Sequence, residues 1–150
     1  MAKLLKQPCI LVTGTPGTGK TSLSSSLAEK LHLAVINIGE FAKEHDCYEA
    51  YDDEYETHIL DEDKLLDLLE PLMDAGGVIV DFHSCDLFPE RWFDLILVLR
   101  TETAQLYDRL VARNYNDKKL NENMECEIMQ VVLESARESY PEEILVELFR

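Results

Sequence analysis

Short runs of consecutive apolar residues, rather than alternating ones, mark out the strands of this chain. Cys9 to Thr13 (CILVT), Val78 to Phe82 (VIVDF) and Leu95 to Leu99 (LILVL) set β-branched and leucine side chains side by side, as strands covered on both faces of a parallel sheet do. Ala34 to Ile38 (AVINI) predicts another. Between these runs the apolar period lengthens to three and four. Leu23, Leu27, Ala28 and Leu31 predict a helix over 19–31, and Phe41 and Ala42 a short one over 39–45. Leu65, Leu66, Leu68, Leu69 and Leu72 predict a helix over 60–73, with Asp61, Glu62 and Asp63 where the helix dipole favours acids and Gly76 and Gly77 as the stop. Leu106, Tyr107, Leu110 and Val111 predict a helix over 101–113. Asn114 to Asn123 lacks core residues except Leu120 and is expected to be a mobile excursion. Residues 125–140 read as one helix ended by Pro141, and Ile144 to Phe149 fits either a fifth strand or a last helical turn. Strands alternating with helices predict an α/β fold, a five-stranded parallel sheet with helices on both faces. With no repeat or linker, residues 1–150 are expected to form a single domain.

Charge narrows the choice of partners. The chain carries 14 Lys and Arg against 30 Asp and Glu, a net charge of −16. Direct nucleic-acid binding is not expected of it, because such binding needs cationic surface to displace counterions; a basic protein partner suits it better. Between Glu44 and Asp74 Lys64 is the only Lys or Arg, whereas Arg91, Arg100, Arg109, Arg113, Lys118 and Lys119 fall within 29 residues, which localises anion binding to that later stretch. Cys9, Cys47, Cys85 and Cys126 form no close pair and read as reduced thiols. No run approaches a membrane span, and the apolar stretch after Lys3 and Lys6 leads into Gly14 and Lys20 rather than a cleavage site, so neither a membrane nor a secretory route is expected.

The strongest chemical signal is Gly14-Thr15-Pro16-Gly17-Thr18-Gly19-Lys20-Thr21, a G-x-x-x-x-G-K-[ST] phosphate loop lying after a predicted strand and before a predicted helix. In that arrangement backbone N–H groups and the helix dipole surround a phosphate, Lys20 reaches the β- and γ-phosphates, and Thr21 offers a hydroxyl to Mg²⁺. Asp81 ends the VIVD run, from which a carboxylate can hold a Mg²⁺ water beside the loop or, more plainly, cap a helix. His83 follows on the same side, either orienting an attacking water or a substrate phosphate or serving as a structural imidazole. Arg109 and Arg113 stand four residues apart on one helix face, where a polyphosphate or nearby acids such as Asp108 and Asp117 would relieve their repulsion. Lys43, taken alone, reads as a surface lysine. The acidic tract from Asp46 to Asp63 interleaves Tyr48, Tyr51 and Tyr55 with carboxylates. It is a solvated face or a docking surface for a basic partner, and a divalent-metal site is a weaker third choice for want of EF-hand spacing. No N-K-x-D guanine-reading sequence occurs, which argues against a GTPase.

With the P-loop, NIGEFAK, VIVDFHSCDLFPERWF and RLVARNY in place, the chain from about Cys9 to Ile144 closely resembles the adenylate kinase isoenzyme 6 family, also called coilin-interacting nuclear ATPase. DFHSCDLFPERWF and NYNDKKLNEN are the stretches most particular to it. The resemblance implies a P-loop NTPase fold of the nucleoside monophosphate kinase type, with a monophosphate-binding segment about 37–60 and a lid about 112–122. It implies transfer of the ATP γ-phosphoryl group to AMP, ATPase activity, and Mg²⁺ with ATP as co-substrate. It also implies a role in small ribosomal subunit maturation through a basic small-subunit ribosomal protein, in nucleus and cytoplasm, for a chain expected to be a monomer. An alternative role is a nucleotide-gated ribosome-assembly factor whose kinase activity is incidental. By the same resemblance Gly14, Gly17, Gly19, Lys20, Thr21, Ser22 and Arg113 bind ATP, and Gly39, Lys43 and Leu60 bind the acceptor monophosphate. Thr21 and Asp81 hold the metal, and Asp81 and His83 form the family's D-x-H. Two positions depart from the pattern: Lys43 stands where relatives usually carry a bidentate Arg, and Ser84 replaces a Gly. The family continues beyond this chain's Arg150 through an adenine-contacting loop and a final helix, so that helix is expected to be missing from the sheet.

Overall fold

The computed structural model describes residues 6–150. The first strand, β1 (Ile10–Thr13), lies at the centre of a five-stranded sheet. β5 (Val78–Asp81) and β2 (Ala34–Asn37) follow on one side, β6 (Leu95–Arg100) and β7 (Leu145–Phe149) on the other, giving the order β2-β5-β1-β6-β7. Every pairing is parallel. The two-sided apolar runs have a direct structural cause. Cys9, Leu11, Val78, Val80, Ile96 and Val98 point into one core, while Ile10, Val12, Ile79, Leu97 and Leu99 point into another. The period of two is present, but both faces are covered.

The second of these cores is roofed by α1 (Lys20–Leu31) through Leu23, Leu27 and Ala28. Over the first lie α3 (Glu62–Ala75), through Leu65, Leu69 and Met73, and α6 (Val131–Ser139), through Leu133 and Ala136. The short α2 (Ile38–Glu44) adds Ile38 and Ala42 to the same core. Side-chain oxygens cap α2 and α3: Asn37 accepts from the Glu40 N–H, and Asp61 from the Lys64 N–H. The segment Ile144–Phe149 resolves in favour of the fifth strand, its Leu145 pairing with Ile96 at the sheet edge.

Three segments differ from expectation. The acidic tract is an antiparallel hairpin, β3 (Tyr48–Asp52) and β4 (Thr57–Leu60), with the Tyr48 and His58 rings stacked at 4.2 Å. Leu60 therefore closes a strand instead of opening α3. The polar excursion is the start of a helix, α5 (Asp117–Ile128), which Asn116 caps by accepting from the Lys119 N–H and which follows α4 (Thr103–Ala112) after a short turn and packs against it. The helix expected over 125–140 is broken at Gln130, whose left-handed φ of 57° separates α5 from α6. No helix among the described residues is long and apolar enough to cross a membrane.

Candidate functional site

The loop 14–19 turns at the carboxyl end of β1 and delivers the chain into α1. Its glycines are dictated by space as much as by torsion. A Cβ on Gly17 (φ 93°) would meet Leu106 Cδ1 at 2.9 Å and Leu110 Cδ2 at 3.0 Å, so α4 packs directly against bare backbone. On Gly14 it would lie 2.7 Å from Thr18 Oγ1 and 2.8 Å from the Leu99 carbonyl. Inside the turn the Thr15 carbonyl accepts from the Thr18 N–H, the Thr18 hydroxyl at 2.8 Å and Lys20 Nζ at 3.3 Å. The α1 N-terminus consequently faces an open cleft with its first N–H groups free of side-chain caps.

Asp81, 2% exposed at the end of β5, takes two donors on one oxygen: Thr21 Oγ1 at 3.0 Å and Asn37 Nδ2 at 3.3 Å. Desolvation lowers the Lys20 ammonium to a pKa of about 8 against the opposing pull of Asp81, with Arg113 lowering it further and Glu127 raising it. His83 is pressed down to about 4, by desolvation first and then by the charges of Lys20 and Lys119. More than a third of the residue faces solvent, so screening moderates the size of that shift, and its direction is what matters.

These groups line a cleft of about 820 Å³. The phosphate loop and the end of β5 contribute Gly19, Lys20, Thr21, Ser22 and Asp81; Asn37, Gly39, Tyr55 and Thr57 face them from α2 and the hairpin, and Arg113, Tyr115, Lys119 and Asn123 from the turn after α4 and from α5. The start of α5 and the hairpin touch above it. The Asn116 N–H donates to Glu56 Oε1 at 3.2 Å, Asn116 Nδ2 to the Glu54 carbonyl at 3.3 Å and Lys119 Nζ to the Glu56 carbonyl at 3.0 Å, while Lys118 pairs with Glu54. A second recess of about 560 Å³ adjoins the cleft at Gly19, Ser22 and Arg113 and is lined further by Gly17, Arg109 and Arg150.

The sequence profile described as AAA domain matches residues 10–130. An adenylate kinase isoenzyme 6 homolog of Caenorhabditis elegans is 51% identical over 145 residues, covering 95% of this chain and 80% of the relative. The chain belongs to the adenylate kinase isoenzyme 6 family. A homolog of Candida albicans is 54% identical over 151 residues; it covers 94% of this chain, which spans 61% of that longer relative. A putative adenylate kinase of Saccharolobus islandicus is 36% identical over 135 residues, with 90% and 71% covered. The fold is also that of a shikimate kinase from Acinetobacter baumannii (TM-score 0.65, 14% identity, 96% of this chain and 85% of that one).

Within this family member the predicted site residues are distributed unevenly. Lys20, Thr21, Ser22, Gly19, Asp81, His83, Gly39 and Arg113 line the main cleft. Gly14 and Gly17 shape the loop from behind. Arg109 Nη1 donates to the Gly17 carbonyl at 3.0 Å and the Thr101 hydroxyl at 3.3 Å, which pins α4 to the loop. Lys43 is exposed on α2 and Leu60 packs against the apolar core; neither lines the cleft. Ser84 donates to Asp86 at 3.1 Å. Sequence reasoning missed Asn37, Tyr115 and Glu127, had Lys119 only as part of the basic stretch, and had Tyr55 only as part of the acidic tract. Asn37 had a signal, a lone amide ending an apolar strand just before a helix; Glu127 had none, since an acid in a polar helix is ordinarily solvated.

Proposed function

We propose that the protein transfers the γ-phosphoryl group of ATP to AMP and hydrolyses ATP slowly in the absence of an acceptor. The observation that carries this reading is the single cleft in which the phosphate loop, Asp81 and the acceptor hairpin face one another beneath Arg113 and Lys119. Kinase-like nucleotide chemistry is supported by the family; AMP as acceptor and ATP hydrolysis are our inference. Catalysis here is positioning and charge neutralisation, with no covalent intermediate. Lys20 would meet the β- and γ-phosphates, and Arg113 the charge that builds on the transferring group. Near neutral pH the depressed His83 is an uncharged imidazole, able to accept or donate a hydrogen bond at the acceptor without adding repulsion to the cations.

Mg²⁺ fits the donor set. Thr21 Oγ1 and Asp81 Oδ2 are hard oxygen ligands already within 3.0 Å of each other. Among the described residues no cluster of three or more His, Cys, Asp or Glu could hold a metal alone. That combination suits an ion completed by substrate phosphates and water. When bound it would neutralise phosphate charge; Thr21 and Asp81 would hold it. An ADP-coupled assay with Mg·ATP, with and without AMP, tests the reading: turnover should rise at least tenfold on adding AMP, and a rate that AMP leaves unchanged would refute it.

One feature favours a second reading. Tyr51, 49% exposed, stands edge-on to His58 at 5.0 Å beside the Tyr48 ring, amid carboxylates on the hairpin. Such a face suits a basic small-subunit ribosomal protein in nucleus or cytoplasm, with nucleotide state governing its release. Hydrolysis stimulated by that partner rather than by AMP would favour it.

A further inference from the structure

The lid helix ends in a buried carboxylate to which the kinase reading above gives no role. Glu127, in the last turn of α5, is 4% exposed. Its Oε1 accepts from the Thr15 hydroxyl at 2.9 Å; its Oε2 accepts from Arg100 Nε at 2.7 Å and the Thr101 N–H at 3.2 Å. Arg100 in turn donates to the Glu127 carbonyl at 3.4 Å and to Glu147 Oε2 at 3.0 Å. One side chain thus fastens the lid helix to the end of β6 and to the phosphate loop. A clasp between helix and sheet would be complete with Arg100 alone. The additional bond goes to Thr15, fully buried, whose own carbonyl holds Thr18 and Lys20.

The opposite end of α5 is the end that meets the hairpin through Asn116, Lys118 and Lys119. At about 1.5 Å per residue the 12-residue helix extends about 18 Å. It is a stiff element whose ends touch the acceptor segment and the donor loop.

We propose that Glu127 is a positioning residue: through the Thr15 hydroxyl it makes the geometry of the phosphate loop depend on the seating of the lid helix. The consequence for turnover rests on the kinase reading above, whereas the link itself does not. Thr15→Val keeps the volume and removes the hydroxyl; Thr15→Ser keeps the hydroxyl and removes a methyl. Mg·ATP affinity is measured by calorimetry, turnover with AMP by the coupled assay, and the melting temperature for each variant. Thr15→Val should weaken Mg·ATP several-fold and reduce kcat by about tenfold while melting within a few degrees of the parent. Thr15→Ser should restore both. Adding Glu127→Gln to Thr15→Val should cost little more in Mg·ATP affinity, because Glu127 reaches the loop through that one bond, whereas the loss at Arg100 and Thr101 should show in the melting temperature.

If Glu127→Gln fails to fold, the two Thr15 variants still decide the matter. Thr15→Val with parental affinity would overturn the proposal, as would Thr15→Ser as impaired as Thr15→Val, since packing alone would then explain the site. Parental protein that binds Mg·ATP but does not phosphorylate AMP would refute the kinase reading and leave the affinity series to judge the link.

Discussion

Replacing Lys20 by methionine should make the protein more stable and inactive at once. The ammonium is held in a half-buried site that lowers its pKa from 10.5 to about 8. At about 1.4 kcal/mol for each tenfold loss of proton affinity, the charged form costs the folded state about 3 kcal/mol at most, an upper figure because part of the side chain remains hydrated. The sign follows from proton counts. Between pH 8 and 10.5 the unfolded chain holds the lysine proton more tightly than the folded chain, so stability rises with pH across that window. Below pH 8 both states are protonated and the whole penalty applies. Methionine has a similar unbranched shape and no charge to desolvate. Urea unfolding at pH 7 without nucleotide should therefore show Lys20→Met more stable than the parent by about 1–3 kcal/mol. The gap should narrow steadily above pH 8 and close near pH 10.5. Phosphoryl transfer should be abolished throughout. A variant equal to or less stable than the parent at pH 7 would refute the claim that the loop holds its lysine against a desolvation cost.

Asp81→Asn should reduce Mg²⁺-dependent kcat far more than it reduces nucleotide affinity, checked by calorimetry beside the coupled assay; equal losses would mean that Asp81 only braces Thr21 and Asn37. Arg113→Ala should lower kcat by about 10²-fold with a smaller change in KM for ATP, and a change confined to KM would reduce it to ground-state binding. Gly17→Ala should destabilise by about 1–3 kcal/mol in urea, since the new methyl strains a left-handed residue and drives into Leu106 and Leu110. His83 should remain neutral at pH 6 by NMR of its ring nitrogens, because its folded pKa lies below the ordinary 6.5; protonation complete at that pH would contradict the cationic surroundings assigned to it.

The sheet was legible because burial on two faces leaves no choice of residue: runs such as Ile10–Val12 and Ile96–Leu99 have to be apolar throughout. The phosphate loop was legible because close approach of backbone to α4 and to a phosphate demands glycine at stated spacings. The hairpin was not, since at Glu49, Tyr51 and Ile59 its strands expose their side chains and so carry little apolar pattern. The first two turns of α5 escaped for a related reason. Glu127 is the only buried residue of α5, and the helix is held by a cap, a carboxylate clasp and contacts with the hairpin rather than by an apolar stripe. Gln130 carries the break before α6 without the Gly or Pro that would have announced it. Lys43 is instructive in another way. Resemblance assigns it to the acceptor phosphate, and the structure sets it exposed on α2, one turn beyond the cleft-lining Gly39, where no apolar or hydrogen-bonding pattern in the sequence marks it out.

The strand order also constrains how the chain can be made. Among the described residues β1 finds its neighbours only in β5 and β6, and β2 only in β5. A nascent chain growing at roughly 5–20 residues per second therefore carries CILVT and AVINI unpaired for several seconds before Val78 appears. Until then only local pieces, the helices and the β3–β4 hairpin, can form, and two apolar strands remain open to wrong partners. The loop that would grip ATP is consequently among the last parts to acquire its shape. Slowed translation before residue 78 should raise aggregation and the demand for chaperones, while nucleotide added to the medium cannot help until the central strand has both its neighbours.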